Sequence, residues 1–379
     1  MHVSARVTVA ALATVSLSVA LIPGASATPS SSASGPHPSR PWHRTLTTDV
    51  LFPFQLAVNK GDVWVADGAT VTVSKVVAGH LVPVAHGLPG RGSDVAGLAV
   101  SADGASLAYT SSKADHSVTT LTIKTTGKAD VVANLAAYEA TANPDGGVRY
   151  GLRWDASTCA KDFIKMISGG PATYHGIADS HPYAVASLGG GAWAVADAGG
   201  NDVLKVSATG AVSTLAVLPP QTTIFTKAMA AALGAPSCMV GESYNFEPVP
   251  TDVEVGSGGA MWVSSLPGGP EDPSLGARGS VYRIGKMGGA ATKVAGGFLG
   301  ATNLAIGPDG TLFVAELFAG KVTKIRPSGD RSTYVNLAAP SSIEASGGYA
   351  YVGTLAQIDG SGTVVAPGTI QRFRLPMSE

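Results

Sequence analysis

Along most of the chain, apolar and polar residues follow one short phrase. A run dominated by Val, Leu, Ala and Ile is followed by a Gly- or Asp-rich turn, then by an apolar or aromatic run closing on a small or polar residue. The phrase occurs six times, over Gln55–Asp67, Gly97–Ser111, Tyr183–Asp197, Asp252–Ser265, Asn303–Glu316 and Ser342–Thr354. Short β-branched and aromatic runs bounded by Gly, Asn and Asp are strand signals. Each copy but the last is followed by two more such runs around a tight turn, as in Asp202–Ser207 with Val212–Val217, or Lys321–Arg326 with Ser332–Asn336. Four strands repeated at a spacing of about 40 to 50 residues are the signature of a propeller blade, which buries both faces against its neighbours. The last copy supplies three strands, ending at Ile370–Leu375, and a strand-like piece, Arg44–Val50, precedes the first copy. Pairing that piece with the last blade would close the ring and remove both sheet edges. The expectation is an all-β chain, a six-bladed β-propeller of four-stranded antiparallel blades with partly helical insertions on one face. Trp64, Trp193, Trp262 and Phe313 fall on strands and are expected to fill space between blades.

In an up-and-down blade the short turns, such as Asn59–Asp62, Ala102–Gly104 and Pro308–Gly310, share one end. The long insertions near 136–180, 219–249 and 266–278 share the other. Loops held on a rigid scaffold are where binding and catalysis concentrate. Two insertions carry helical spacing. Asp155 would cap a helix through Ile167, with Cys159, Phe163 and Ile167 on one face and Gly169 past its end. Thr222 or Thr223 would start another, its stripe of Ile224, Phe225, Ala228, Met229 and Ala232 ending at Gly234. Each of these two insertions holds one of the two cysteines, Cys159 and Cys238. A disulfide between them would clasp two lids over one face; a pair of free thiols is the alternative.

Composition agrees with many short strands. The chain of 379 residues has 48 Gly, 24 Pro and 13% charged residues, too few of the last for long surface helices. A net charge of −1 without a basic block argues against a nucleic-acid partner. Arg6, the apolar run Val7–Ile22 and Ala25–Ala27 read as a secretory signal peptide over 1–27, cleaved after Ala27. A flexible Ser- and Pro-rich linker over 28–43 leads into the propeller domain at 44–376. The protein is therefore expected to be extracellular and monomeric, with no membrane span after cleavage.

The runs Tyr138–Ala140 with Asn143–Asp145, Asp179–Tyr183, Val195–Asp202, Val212–Pro220 and Val249–Val253 together resemble the ScyD/ScyE family of secreted, NHL-like bacterial propellers. The resemblance spans roughly 45–375 and implies an exported propeller whose biochemical role is not established. His181 stands where such a motif would carry Asn.

Residues opening each first strand should surround the central channel: Gln55, Gly97, Tyr183, Asp252, Asn303 and Ser342, with His181 and Thr251 beside them. Hard cations want several oxygen ligands, so a calcium or magnesium site would draw on Asp252 and Asn303, helped by Asp197 or Glu316. Equally, Asp67, Asp197 and Glu316 would serve as backbone hydrogen-bond acceptors in the turns ending their strands. Tyr138, Tyr150, Arg153, Trp154, Tyr174 and Tyr244 in the insertions suit either a binding surface or the anchoring of the insertions. No G-x-S-x-G, nucleophilic Cys or phosphate-cradling loop is present. The sequence thus favours a binding or scaffold propeller recognising a small molecule, glycan or protein on its long-loop face. The alternative is a metal-assisted lactonase or lyase at the channel mouth with His181 as base.

Overall fold

The computed structural model describes residues 42–270 and 272–376. The predicted signal peptide, its cleavage site and nearly all of the linker lie outside the described residues. The chain folds as a β-propeller of repeated four-stranded antiparallel sheets. Six of these open on the strands Pro53–Asn59, Leu98–Val100, Pro182–Gly189, Pro250–Val255, Ala301–Ile306 and Pro340–Ser346. These first strands pack each on the next in that order, and Pro340–Ser346 packs on Pro53–Asn59. His43–Val50 pairs with Gly368–Arg374 as the outer strand of the last sheet, the pairing expected for Arg44–Val50. A small hairpin, Gln357–Ile358 with Val364–Ala366, interrupts that sheet and had no counterpart in the sequence pattern.

Apolar side chains interleave between successive sheets. Ala184, Ala186, Ala194 and Ala196 of one sheet meet Val253, Met261, Val263 and Ile284 of the next. Trp193 is fully buried in one cluster with Val195 and Leu204 of its own sheet and Leu121 and Ile123 of the preceding one. Phe313 is buried against Tyr334 and Phe373. Burying one such side chain contributes about 1.5–3 kcal/mol, which is why the repeat keeps an apolar residue there. Trp64 and Trp262 fill the same role only in part: each is half-buried at the edge of its cluster.

Two local devices recur. In five of the six first strands the register slips by one residue near the start, between Pro53 and Gln55, Pro182 and Ala184, Pro250 and Asp252, Ala301 and Asn303, and Pro340 and Ser342. Such a bulge re-aims the side chain that follows it. Second, the polar residue ending the second strand grips the backbone entering the first. Asp67 accepts from the amides of Leu51 (2.9 Å) and Phe52 (3.1 Å), and Glu316 accepts from Leu299 (2.8 Å). Ser265 donates to Pro248 O.

The three insertions form one unit. Arg149–Leu152 and Thr173–His175 from the first insertion join Gln221–Ile224 and Ser243–Phe246 from the second in a seventh four-stranded sheet. Leu275 of the third insertion shares its core with Phe163, Ile164, Phe225, Met239 and Phe246. Cys159 and Cys238 are joined, closing the expected clasp over a sequence separation of 79. Both helix starts differ from expectation. Asp155 is held by Arg153 at 2.9 Å, so the helix Thr158–Ser168 is capped instead by Ser157, which accepts from the Ala160 amide at 3.2 Å. Gln221–Ile224 becomes a strand because β-branched Thr222, Thr223 and Ile224 find a partner strand within the same insertion. The helix waits until Lys227–Ala232, capped by Thr226. An unpredicted helix, Leu135–Ala142, is capped by Asn134 and stopped by Asn143 in the left-handed region at φ 37°.

Candidate functional site

Residues at and just after these bulges bind the first strands to one another. Gln55 ties its own sheet to three others: its carbonyl accepts from the amides of Leu98 (2.6 Å) and Val185 (3.0 Å), and its amide donates to Asp252 Oδ1 (3.0 Å) and Val185 O (3.2 Å). Asp252 also accepts from the amides of Val253 (2.8 Å) and Leu304 (2.8 Å). Asn303 Oδ1 accepts from the Ile343 amide (2.7 Å). Thr251 Oγ1 donates to Ala301 O (2.8 Å). Gly97 takes its place through its amide, bonded to Thr110 Oγ1 (2.7 Å). The register puts Ala184, rather than Tyr183, at the place equivalent to Gln55. Tyr183 occupies the preceding position and packs on Phe54 (5.4 Å) and His181 (5.9 Å).

Glu254 and Glu344, further along their strands, join Asp252 in a group of carboxylates that feel one another's charge. Burial pushes Asp252 up to about 7. Burial and the charge of Asp252 push Glu344 up to about 8. Glu254 is raised well above the carboxylate range by burial, Glu344 and Asp252. Surrounded by protein yet only half-buried by surface exposure, both glutamates retain some water, which softens this repulsion.

Of the residues expected to hold a cation, Asp252 and Asn303 are engaged as above. Asp197 accepts from Ser180 Oγ (2.6 Å) and from the amides of His181 (2.6 Å), Gly199 and Gly200 (both 3.2 Å). Glu316 accepts from Thr323 Oγ1 and faces Arg331 (3.4 Å) and Lys321 (3.7 Å). Among the described residues, no three Asp, Glu, His or Cys side chains stand ready around one metal-sized point.

His181 instead enters a network that the sequence did not disclose. Its Nε2 lies 2.8 Å from Asp94 Oδ2, and its ring stacks on His116 with centroids 4.5 Å apart. His116 Nδ1 lies 2.9 Å from Asp179 Oδ1. Burial opposes the imidazolium of His181, but Asp94 outweighs it and the affinity for a proton is raised. Burial likewise opposes charge on Asp179, yet bonding to His116 holds it below the usual carboxylate range. Asp94 and His116 sit in connections with no periodic signal; only the shared end of their sheets brings them to His181.

The insertion residues divide in two. Tyr150 is buried and donates to Asp145 Oδ2 (3.1 Å), Tyr138 bonds Thr214 Oγ1 (2.8 Å), and Tyr244 stacks on Phe246 (4.4 Å). Tyr174 packs on Tyr150 (5.8 Å). These four anchor. Trp154 is 57% exposed beside an open cleft of about 600 Å³ shared with Arg149, Arg153, Asp155, Pro220 and Asn245. A cleft of about 610 Å³ at the opposite end is lined by turn residues such as Pro308, Asp309 and Pro327.

No family model matches the chain, and no curated protein matches its sequence. Solved structures do match its fold. The PQQ-bound aldose sugar dehydrogenase of Streptomyces coelicolor is 12% identical with a TM-score of 0.54, covering 89% of this chain and 99% of that one. A putative glucose dehydrogenase of Thermus thermophilus is 14% identical at a TM-score of 0.52, covering 88% and 99%. A Bacteroides thetaiotaomicron protein of unknown function is 12% identical at 0.53, covering 88% and 75%. The neighbours are β-propeller proteins, and at these identities the likeness concerns the fold alone.

Proposed function

We propose that the chain is a secreted propeller of the ScyD/ScyE type that binds a ligand on its insertion-bearing face, with a glycan or similar ring-bearing polar molecule lying in the Trp154 cleft. In this reading the six repeated sheets are the blades of one closed ring. The pairing of His43–Val50 with Gly368–Arg374 and the packing of Pro340–Ser346 on Pro53–Asn59 support it. The disulfide, and the lack of any described helix long and apolar enough to cross a membrane, are compatible with export.

One observation carries the binding assignment. The insertions form a clasped unit with its own core, yet leave Trp154 at 57% exposure among groups that donate and accept hydrogen bonds. An aromatic face flanked by an Arg, an Asp and an Asn suits a ring with polar substituents. Tryptophan fluorescence and thermal shift against a panel of soluble glycans test this. Binding that Trp154→Ala abolishes, with an unchanged melting point for the free protein, supports the proposal. Binding unaffected by Trp154→Ala, or none across the panel, counts against it.

The paired histidines favour a second reading. A buried imidazole oriented by Asp94 has the parts of a general base for a lactonase or lyase. Turnover of lactone or cyclic depsipeptide substrates that is lost in His181→Ala would support it over binding alone.

A further inference from the structure

At the end of the propeller opposite Trp154, a recess of about 610 Å³ lies between the sheets that open on Ala301–Ile306 and Pro340–Ser346. Residues of three turns wall it: Pro308 and Asp309, Arg326 and Pro327, and Gly347 and Gly348. Backbone hydrogen bonds hold these turns: Gly310 N–H donates to Gly307 O (2.9 Å), Gly329 N–H to Arg326 O (2.8 Å), and Leu375 N–H, at the end of the last strand, to Gly348 O (3.0 Å). Phe313 and Leu375, both buried, supply part of the apolar lining. The shape of the recess is thus set by closed turns and packed core.

Three cationic side chains line it, from both sheets. Lys324 stands opposite Phe313 in its strand register, and Arg326 follows two residues on, at the spacing that returns a side chain to the same face. Arg374 ends the last strand opposite Tyr349. Among the described residues none of the three is ion-paired. Asp309, the one acid in the lining, spends both carboxylate oxygens on its own turn, accepting from the Thr311 amide (3.0 Å) and from Thr311 Oγ1 (2.9 Å). Chiefly the Thr311 amide, with the charge of Arg326 adding to it, holds this carboxyl below the usual range. Three cations less one acid leave the lining at +2, in a chain whose net charge is −1.

Like charges gathered in a recess with apolar walls repel one another, and the walls weaken the screening that water gives on an open surface. A bound anion removes that repulsion and receives charge-assisted hydrogen bonds, which are roughly twice as strong as neutral ones. Each arginine can take a carboxylate or phosphate through two parallel N–H bonds, while the lysine adds a compact point charge. The volume falls within the range of small-molecule sites, roughly 300–1,000 Å³.

We propose that this recess binds a small organic dianion, one carrying a phosphate monoester or a pair of carboxylates, held by Lys324, Arg326 and Arg374 with its body against Pro308 and Pro327. The charge of the lining matches a dianion, and cations on both walls let one ligand bridge the two sheets. The site shares no residue with the Trp154 cleft, so it stands apart from the glycan reading.

The test titrates the full mature chain by calorimetry with glycerol 3-phosphate, with succinate, and with glycerol as the neutral control, at about pH 7.5, where both anions are essentially dianionic. Saturable binding of at least one dianion and none of glycerol is expected, weakened about tenfold or more in Lys324→Gln/Arg326→Gln. It should also weaken as sodium chloride rises from about 20 to about 200 mM. Binding of glycerol 3-phosphate alone assigns a phosphate monoester, binding of succinate alone a dicarboxylate, and binding of both a dianion of either kind; each supports the site. No binding of either dianion, or binding undiminished in the double variant, would overturn it. Should the double variant not fold, Arg326→Gln alone carries the test, because Arg326 is exposed. Neither probe carries a sugar ring, so failure here leaves the Trp154 reading untouched.

Discussion

The clasp between Cys159 and Cys238 gives a prediction whose size follows from the structure. The bond joins the helix Thr158–Ser168 to Ser237–Met239 across a sequence separation of 79, and that segment contains the whole sheet opening on Pro182–Gly189. In the denatured chain a cross-link of this span removes loop entropy worth about 4.5 kcal/mol at 25 °C on the chain-entropy model. Residual structure in the unfolded ensemble reduces it, so Cys159→Ser/Cys238→Ser should lose about 2–4.5 kcal/mol. Equilibrium unfolding in guanidinium, followed by tryptophan fluorescence and by far-UV circular dichroism, measures it. Because the unit formed by the insertions has its own small core, its amides at 158–168 and 221–246 should also lose hydrogen-exchange protection before those of the repeated sheets. A double variant within 1 kcal/mol of the oxidised protein, with insertion amides protected as before, would refute the view that the clasp holds this unit together.

Further outcomes follow from other contacts. Trp193→Ala empties a fully buried site between two sheets and should cost about 3–5 kcal/mol in the same assay, whereas the half-buried Trp64 should cost clearly less. Gln55→Leu keeps the volume but strips four buried hydrogen bonds that tie its sheet to three others, and should cost about 2 kcal/mol or more, with m unchanged. The carboxylates grouped around Asp252 set a pH trend. Asp252 and Glu344 hold their protons to about 7 and about 8 in the fold but release them near pH 4 when unfolded. Their neutral forms thus contribute fully below about pH 4, and the contribution is lost as pH rises through 7 to 8. The melting point should fall over that window, and Glu344→Gln should flatten the fall; a melting point rising over it would contradict the assignment.

Alternation of apolar and polar residues around Gly and Asp turns was enough to read the repeated sheets, the outer strand near 44–50 and the end on which the insertions gather, because strand period and turn chemistry are local. Cysteine placement pointed to the clasp for a similar reason, since the topology had already put both insertions on one face. Helix starts were less legible. Whether Thr222 and Thr223 cap a helix or join a strand depends on Ser243–Phe246, a partner some twenty residues away. Ring position was also beyond the sequence: the bulge after Pro182 matches the one after Pro53, but a further register shift between Ser187 and Gly189, absent from the first sheet, puts Ala184 rather than Tyr183 in the place equivalent to Gln55. The functional constellations were the least legible. Asp94, His116, Asp179 and His181 come from three separate connections. The repeat, its strand order and the face that bears the insertions are written in local patterning. Which acids and histidines meet depends on distances across the fold that no local period encodes, and those came into view with the folded chain.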